Sequence, residues 1–290
     1  MALTEGQVQV RSLVMGPGTP YKVLPGFDPF SRTVRANQTG PRAWNHGTWS
    51  GAEWADEAVV PIPLRVTGPG GDTGSWLAVH RQLAAAFAPV GDSGESVEMR
   101  WHLGGDEYVM FGRPRMVRPR SDHIAVGKST TQCAFAAQDP RIYSGDLHTV
   151  STGLPTQAGG LTVPLTVPFI VQGQVLGGEA EVVNDGTAAA PLLARIDGFA
   201  PLPRLTVVRP DGSVQQVRMT ADVPAGQWIE IDTAAGTVFA NGLPTASRRG
   251  QTAWDIDPYP LLPGRNRVLF AADDFVEDAQ MVVSYRSAWW

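Results

Sequence analysis

The sequence predicts a two-domain, mainly β protein, and three observations support this fold class. Its 290 residues are enough to bury two cores of ordinary size. The 32 glycines and 24 prolines are spread along the chain, as in proteins whose many short strands are joined by tight turns. Only one segment has a convincing helical pattern. We expect residues 1–150 to form a first domain and residues 166–290 a second, with residues 151–165 as the linker.

The first strong strand signal covers residues 59–66. It follows a weak alternation at residues 8–10 and a polar, glycine-rich stretch with several aromatic residues. Apolar residues alternate along the strand with Pro61 and Pro63, so the two missing N–H groups lie on the same lateral side. Such a strand can pair normally along one side only. We therefore expect it at the edge of a sheet.

One amphipathic helix is predicted at Ser75–Ala88, after a glycine-rich turn. The segment is rich in alanine and Pro89 ends it. Its large apolar residues recur at helical spacing, at Trp76, Val79, Leu83 and Phe87. This helix should pack one face against the first domain's strands.

A long hairpin and a closing strand complete the first domain. Val97–Leu103 alternates in hydropathy, turns at Gly104-Gly105-Asp106 and returns through residues 108–111, which is a good hairpin signal. An arginine-rich run, residues 112–120, extends this hairpin. A further strand is predicted from about Ile124 to Ala137.

The second domain has the pattern of an all-β sandwich. Its strand signals recur at roughly 8–12 residues, and strong turn formers such as Asn184-Asp185-Gly186 and Asn241-Gly242 separate them. No helical periodicity is present in this half. The predicted strands are Glu179–Val183, Leu192–Ile196, Leu205–Arg209, Val214–Met219, Gln227–Asp232, Thr237–Ala240, Arg267–Ala271 and Met281–Arg286.

Charge and cysteine content exclude several function classes. The net charge is −5, and residues 1–150 hold 14 basic and 14 acidic side chains, so the whole deficit lies in the second half. A sequence-specific nucleic-acid partner would need a basic excess and is not expected. No apolar run reaches the roughly 20 residues of a membrane span, and we expect neither a signal peptide nor a membrane partner. The lone Cys133 indicates folding in a reducing compartment.

Catalytic and metal-binding patterns were sought and not found. Cys133 lies within an alternating strand, where a buried, inert thiol is the usual state. The histidines are isolated in the sequence: His46, His80, His102, His123 and His148. Acidic pairs fall beside turns, which is typical of solvated loops: Asp106-Glu107, Asp255 with Asp257, Asp273-Asp274 and Glu277-Asp278. We predict no catalytic, cofactor-binding or metal-binding residues, and no cofactor.

Three groups of residues are candidates for a protein interface. The aromatic segment with Trp44, Trp49 and Trp54 favours an interface, with core packing and sugar stacking as alternatives. The edge-strand residues Pro61 and Pro63 form the second group. The third group could meet an acidic partner between subunits, with a solvated hairpin and, more weakly, nucleic-acid contact as alternatives; it comprises Arg113, Arg115, Arg118 and Arg120.

The order of these features resembles the distal tail protein (Dit) family of siphophages. The resemblance spans nearly the whole chain, and the order of its motifs is more specific than any one of them. In the first half it rests on the helix Ser75–Ala88 and on Phe135–Tyr143, where a strand ends in an Asp-Pro sequence. In the second half it rests on Asn184–Pro191, Trp228–Thr233, Pro260–Asn266 and Val282–Arg286.

The resemblance implies an N-terminal β-sandwich or split-barrel ring domain with one helix and a long hairpin, followed by a galectin-like C-terminal β-sandwich. It implies a hexameric ring, built by the N-terminal domains, between the tail tube and the tail-tip hub. Expected partners are other copies of the chain, the tail tube protein, the tail-tip hub protein and the tape-measure protein. The expected location is the virion tail tip, after assembly in the cytoplasm of the bacterial host.

Two other function classes stay open. A β-sandwich carbohydrate-binding adhesin would bind glycans through a monomeric second domain. A hydrolase would need a cleft that holds two of the acidic residues named above. The second half has no long insertion, so the enlarged carbohydrate-binding versions of the family are not indicated.

Overall fold

A computed structural model describes residues 2–92, 94–120, 123–158, 174–176, 178–241, 243–244, 256–274 and 279–290. The chain forms two compact units. The first comprises residues 1–145 together with Trp290, and the second comprises Asp146–Trp289. The structure is mainly β, and its described residues include one α-helix, which confirms the predicted fold class. No helix among the described residues has the length and hydropathy that a membrane span requires.

The first unit is built around a nearly closed sheet. Its strands follow the order β2-β1-β9-β10-β11-β8-β3, and β12 pairs with β10. The Gly16 N–H donates to the Tyr21 carbonyl at 2.7 Å, which links the two ends of this order. The elements are β1 (Val8–Val10), β2 (Leu13–Met15), β3 (Tyr21–Val23), β4 (Val34–Ala36), β5 (Gly40–Pro41), β6 (Thr48–Trp49), β7 (Glu53–Ala55), β8 (Ala58–Thr67), α1 (Thr73–Ala86), β9 (Val97–Leu103), β10 (Asp106–Pro119), β11 (Lys128–Ala137) and β12 (Ile142–Ser144).

The predicted helix is present as α1, two residues earlier than expected. Asp72 is its N-cap, and its carboxylate accepts a hydrogen bond from the Ser75 N–H at 2.9 Å. The helix buries the predicted apolar face against the sheet, with Trp76, Val79 and Leu83 among its buried residues. The indole N–H of Trp76 donates to the Ser129 hydroxyl at 2.9 Å, so the buried indole keeps a hydrogen-bond partner.

The prediction of an edge position for β8 is correct for only part of the strand. Over its full length β8 pairs with β11, and Leu64–Val66 pairs with β3 as well, so this end lies inside the sheet. The Pro63 carbonyl accepts from the Leu24 N–H at 2.9 Å on the β3 side. The backbone nitrogen of a residue in an antiparallel strand points to the same side as its carbonyl, and residues two apart point to the same side as each other. Both proline nitrogens therefore face away from β11, on one lateral side as predicted. In the described residues no strand pairs with Ala58–Pro63 on that side.

The hairpin and closing strand are present with corrections at their ends. β9 and β10 turn through two residues, Gly104 and Gly105, both at positive φ, which suits a type I′ turn. The closing strand begins at Lys128 rather than Ile124, because Ile124–Val126 forms a 3-10 turn that ends at Gly127 with φ +69°. The arginine-rich run lies in β10, whose backbone pairs with β11, so it belongs to the sheet.

The second unit is a sandwich of two antiparallel sheets. One has the order β13-β24-β17-β20-β21-β22 and the other β16-β23-β18-β19. All eight predicted strands are present. Alternate residues of both sheets are buried in one core. The elements are β13 (His148–Gly153), β14 (Thr156–Ala158), β15 (Gln174–Leu176), β16 (Glu179–Asn184), β17 (Leu192–Asp197), β18 (Arg204–Val208), β19 (Val214–Arg218), β20 (Trp228–Asp232), β21 (Thr237–Ala240), β22 (Leu243–Pro244), β23 (Gly264–Ala271), β24 (Gln280–Tyr285) and β25 (Ala288–Trp289).

The segment assigned to the linker is partly strand. Ser151–Gly153 is the end of β13, which pairs with β24, and Thr156–Ala158 pairs with Gln174–Leu176. Small polar side chains favoured a linker in the sequence, but a strand ladder is made by backbone groups and tolerates them. Leu154 and Pro155 lie between these two strands, and linker residues 159–165 lie outside the described residues.

The turn at Asn184-Asp185-Gly186 shows why this motif has its composition. The buried Asn184 amide donates to the carbonyls of Ala188 and Leu261, at 2.8 and 3.1 Å. Its oxygen accepts from the N–H groups of Gly186 and Ala288, each at 3.1 Å. A Cβ atom at Gly186 would lie 1.7 Å from the Ala288 carbonyl oxygen, so only glycine fits there.

Replacing Leu83 by alanine should destabilise the first unit strongly. Leu83 is 0% exposed and Leu77, on the same helix, is 37% exposed. A buried Leu→Ala substitution leaves a cavity and costs about 2–5 kcal/mol, whereas we expect Leu77→Ala to cost less than about 1 kcal/mol. Urea unfolding of both variants, followed by tryptophan fluorescence, measures the difference. Equal effects of the two substitutions would show that α1 does not pack as described.

Candidate functional site

Residues 33–57 form a β-hairpin outside the main sheet, which we call the arm. Two short ladders build it, β4 with β7 and β5 with β6, and neither joins another strand in the described residues. Backbone hydrogen bonds close its base and its tip, from Asp56 to Thr33 at 2.8 Å and from Arg42 to Gly47 at 3.1 Å. Gly47 has φ +92°, which allows the tight turn at the tip.

The three candidate tryptophans all lie on the arm, and all are exposed. Trp44 at the tip is 100% exposed, Trp49 65% and Trp54 61%. Core packing, one of the alternatives for this segment, is therefore wrong for the single chain. The Arg42 guanidinium lies 4.7 Å from the centre of the Trp49 ring and covers part of it. Three exposed indoles on one hairpin form an unusually apolar surface.

The sequence did not predict that this segment is a hairpin. Its strands have two or three residues each, and the side chains of β4 and β6 are exposed on both faces, so no alternation of apolar and polar residues marks them. The turn residues Asn45-His46-Gly47 were the available signal. The five-residue spacing of the tryptophans suggested no regular strand, whereas Trp49 and Trp54 each lie in one.

The four candidate arginines have different surroundings. Arg113 is half-buried. Arg115 lies at a bulge of β10 and pairs with Glu57 at 3.6 Å, next to the base of the arm. Arg118 and Arg120 are exposed on the sheet. Arg113 is paired with Ala136 and Arg118 with Gln132, so both lie on one face of the sheet, where Arg113 is half-buried and Arg118 is exposed.

The candidate acidic residues that the structure describes are largely paired with arginine. Glu107 pairs with Arg100 at 2.9 Å, and Asp273 pairs with Arg218 at 3.0 Å. Asp257 pairs with Arg209. Three other candidates lie outside the described residues: Asp255, Glu277 and Asp278.

The histidines do not form a cluster. His80 stacks on Trp76 with ring centres 4.8 Å apart, and burial lowers its pKa. His102 lies 3.1 Å from the Glu5 carboxylate. Among the residues that the structure describes, no group of three or more His, Cys, Asp or Glu side chains could hold a metal ion.

Cys133 should be unreactive in the folded protein. It is fully buried in β11, and burial raises the pKa of its thiol to about 12, because the thiolate loses its hydration there. At pH 8 the group is therefore a neutral thiol. We expect a thiol reagent such as DTNB to react at least about 100-fold more slowly with the folded protein than with the protein in denaturant. Rapid labelling of the native chain would contradict this placement.

Comparison with known proteins identifies the fold. No protein-family model and no curated protein matches the sequence. The crystal structure of the Dit protein of phage SPP1, described as a paradigm of the hub adsorption apparatus in phages infecting Gram-positive bacteria, is similar, with a TM-score of 0.58 and 12% identity. The alignment covers 91% of this chain and 92% of that one.

Two structures of the phage P2 baseplate in its activated conformation are also similar. The form with Ca has a TM-score of 0.52 and 9% identity, over 96% of this chain and 97% of that one. The form with Sr has a TM-score of 0.53 and 10% identity, over 96% of each. Identities this low show the fold alone. The mainly β, Dit-like fold expected from the resemblance is confirmed: this chain folds, over nearly its whole length, like the Dit protein of phage SPP1 and a baseplate protein of phage P2.

Proposed function

We propose that the protein is a structural subunit of a siphophage tail tip, in the distal tail protein family. The main support is the agreement of fold over more than 90% of the chain with phage hub and baseplate proteins. A sequence resemblance that was stated from motif order alone points to the same proteins. Fold by itself does not establish function, so the surface must supply the rest of the argument.

The exposed arm supports assembly with further copies of the chain. A closed ring forms when two different surfaces of each subunit fit together, so each subunit must offer a projecting element or a receiving surface to its neighbour. The arm with Trp44, Trp49 and Trp54 is such an element, and burying its indoles between subunits would remove their apolar surface from water. We propose a homohexameric ring in which at least one of the three is buried.

The free side of β8 contributes to an interface by side chains and not by strand addition. Pro61 and Pro63 present no N–H groups on that side, so a neighbouring strand could form only an incomplete ladder there. Strand addition at this edge is therefore disfavoured physically. The exposed Val59 and Pro61 side chains remain available for apolar contact.

The proposed ring lies between the tail tube protein and the tail-tip hub protein, with the tape-measure protein as a further neighbour. Its location is the virion tail tip, after assembly in the host cytoplasm. We propose that the second unit is a galectin-like β-sandwich. Its two antiparallel sheets are consistent with this fold. No catalytic role is proposed, and the purified protein should leave peptidoglycan and polysaccharides intact.

Negative-stain electron microscopy of the purified full-length protein tests the proposal. We expect six-fold rings with a central hole. A protein that stays monomeric at all concentrations and binds glycans through its second unit would support the adhesin alternative instead. Hydrolysis of peptidoglycan that is lost in Asp257→Ala or Asp273→Ala would favour a hydrolase.

A further inference from the structure

One face of the first unit's sheet has a row of basic side chains. Lys22 on β3 is paired with Arg65 on β8, and Arg65 is paired with Thr130 on β11. The Arg120 N–H, at the end of β10, donates to the Thr130 carbonyl at 2.8 Å. Directly paired residues of an antiparallel sheet share a face, so this row crosses four strands, about 14 Å at the usual strand spacing.

Two more cations lie on the same face. Arg118 is paired with Gln132, which is two residues from Thr130 on β11, and Lys128 is two residues from Thr130 on the other side. Residues two apart in a strand point to the same face. We call this surface the basic face; all its members are exposed, and they are Lys22, Arg65, Arg118, Arg120 and Lys128.

The basic face has no ion pair within 4 Å among the residues that the structure describes. Elsewhere on the unit, Arg100 pairs with two glutamates and Arg141 with Asp139. Lys22 and Arg65 are like charges in directly opposed positions, an arrangement that destabilises a sheet. Among the described residues no carboxylate offsets this repulsion, which favours a role for the face in binding an anionic group.

The surroundings of the basic face favour a protein as the bound partner. Along β8, residues 59, 61, 63 and 65 share one face; Val59 and Pro61 are exposed, and the buried Pro63 separates them from Arg65. Arginine beside apolar side chains is typical of protein interfaces. A nucleic-acid surface would extend its basic and polar residues along the phosphate backbone instead.

A second copy of this chain is the alternative source of the acidic groups, since its residues 146–290 have a net charge of −6. Five carboxylates of the second unit already pair with arginines of the same unit. Arg265 pairs with Glu181 at 3.1 Å, and Arg195 with Asp197 at 2.8 Å. Asp273 has two arginine partners, Arg204 and Arg218. These paired groups could leave their partners only at a cost, so we take the neutralising charges to come from another protein, and self-assembly of the variants below tests the alternative.

We propose that the basic face binds a carboxylate-rich surface of a different protein. The inference rests on the proposed function, because it assumes that the protein is part of a larger assembly. It adds the chemical character of one neighbouring protein in that assembly. The sheet supplies a flat array of guanidinium and ammonium groups, which can form charge-assisted hydrogen bonds with several carboxylates at once. Long-range attraction would also speed the encounter at low salt.

Binding of poly-L-glutamate to the full-length protein tests the basic face. Fluorescence anisotropy with the labelled polymer compares the wild type with Arg118→Glu/Arg120→Glu. We expect the dissociation constant to rise at least about tenfold, with an effect that shrinks as salt is added. A control with the same change in charge is Arg81→Glu/Arg265→Glu, at two exposed positions outside the face, and should shift the constant by less than about threefold.

A second variant separates binding from folding. Arg65→Glu places a carboxylate opposite Lys22, so it should raise the melting temperature by about 1–3 °C while it weakens poly-L-glutamate binding. A more stable protein that binds less would show that the loss of binding is not caused by unfolding. A fall in both quantities would contradict the inference.

Three results would overturn the proposal. The first is an equal loss of binding in the face variant and the control. The second is tighter binding of a duplex DNA of matched charge than of poly-L-glutamate, which would make the face a nucleic-acid surface. The third is loss of self-assembly in Arg118→Glu/Arg120→Glu, which would make a second copy the partner. If the wild type forms no ring, the proposed function fails, and the polymer assay still tests the face.

Discussion

Replacing Trp44, Trp49 and Trp54 together by alanine is expected to convert the assembled protein to a folded monomer. A tryptophan buries roughly 150–250 Å² when it enters an interface, and anchoring tryptophans commonly contribute about 2 kcal/mol or more each. Even with incomplete additivity, losing three should weaken each subunit contact by at least about two orders of magnitude. The arm makes no ladder with the main sheet among the described residues, so the unit should keep its fold.

Size-exclusion chromatography with light scattering measures this effect, and circular dichroism checks the fold. Trp228→Ala is the matched control, since Trp228 is a half-buried tryptophan of the second unit that lies under Arg195, 4.2 Å from the ring centre. This variant should assemble like the wild type. If the triple variant also assembles normally, the arm is not a subunit contact, and sugar stacking becomes the better interpretation of its tryptophans.

The sequence predicted best where one face of an element is buried. The strands of the second unit alternate cleanly, as in β17, because one face of each sheet packs in the core and the other meets solvent. The helix was predictable for the same reason, since its buried residues recur every three or four positions. When one face of a helix or strand is buried, its apolar residues recur at regular spacing, and this spacing can be seen in a single sequence.

The candidate surfaces were less predictable because binding surfaces impose no period. The arm is exposed on both sides, and its tryptophans could be noticed but not placed. The basic face depends on register: Lys22, Arg65 and Arg120 are far apart in the chain and meet only through strand pairing. Arg118 and Arg120 stand out in the sequence because they are close in the chain; of the two arginines grouped with them, Arg113 is half-buried and Arg115 pairs with Glu57.

A fragment of residues 1–145 is expected to form rings, whereas residues 146–290 should remain monomeric. The first fragment contains the arm and the basic face, with 14 basic and 13 acidic side chains for a net charge of +1. The second contains 9 basic and 15 acidic side chains, a net charge of −6. Copies with that charge would repel one another if packed closely around an axis. Light scattering on the two fragments gives their masses directly.

The first residue of the second fragment determines whether its oligomeric state reports on the intact unit. β13 pairs along its whole length, His148–Gly153, with β24, so a fragment that starts at residue 166 loses one strand of the six-stranded sheet. Such a fragment should be less stable than residues 146–290 by at least about 2 kcal/mol, and its exposed β24 edge could pair with other chains. Oligomers of residues 166–290 alone would therefore report a damaged sheet. Oligomers of residues 146–290, beside a monomeric fragment 1–145, would instead assign the ring to the second unit.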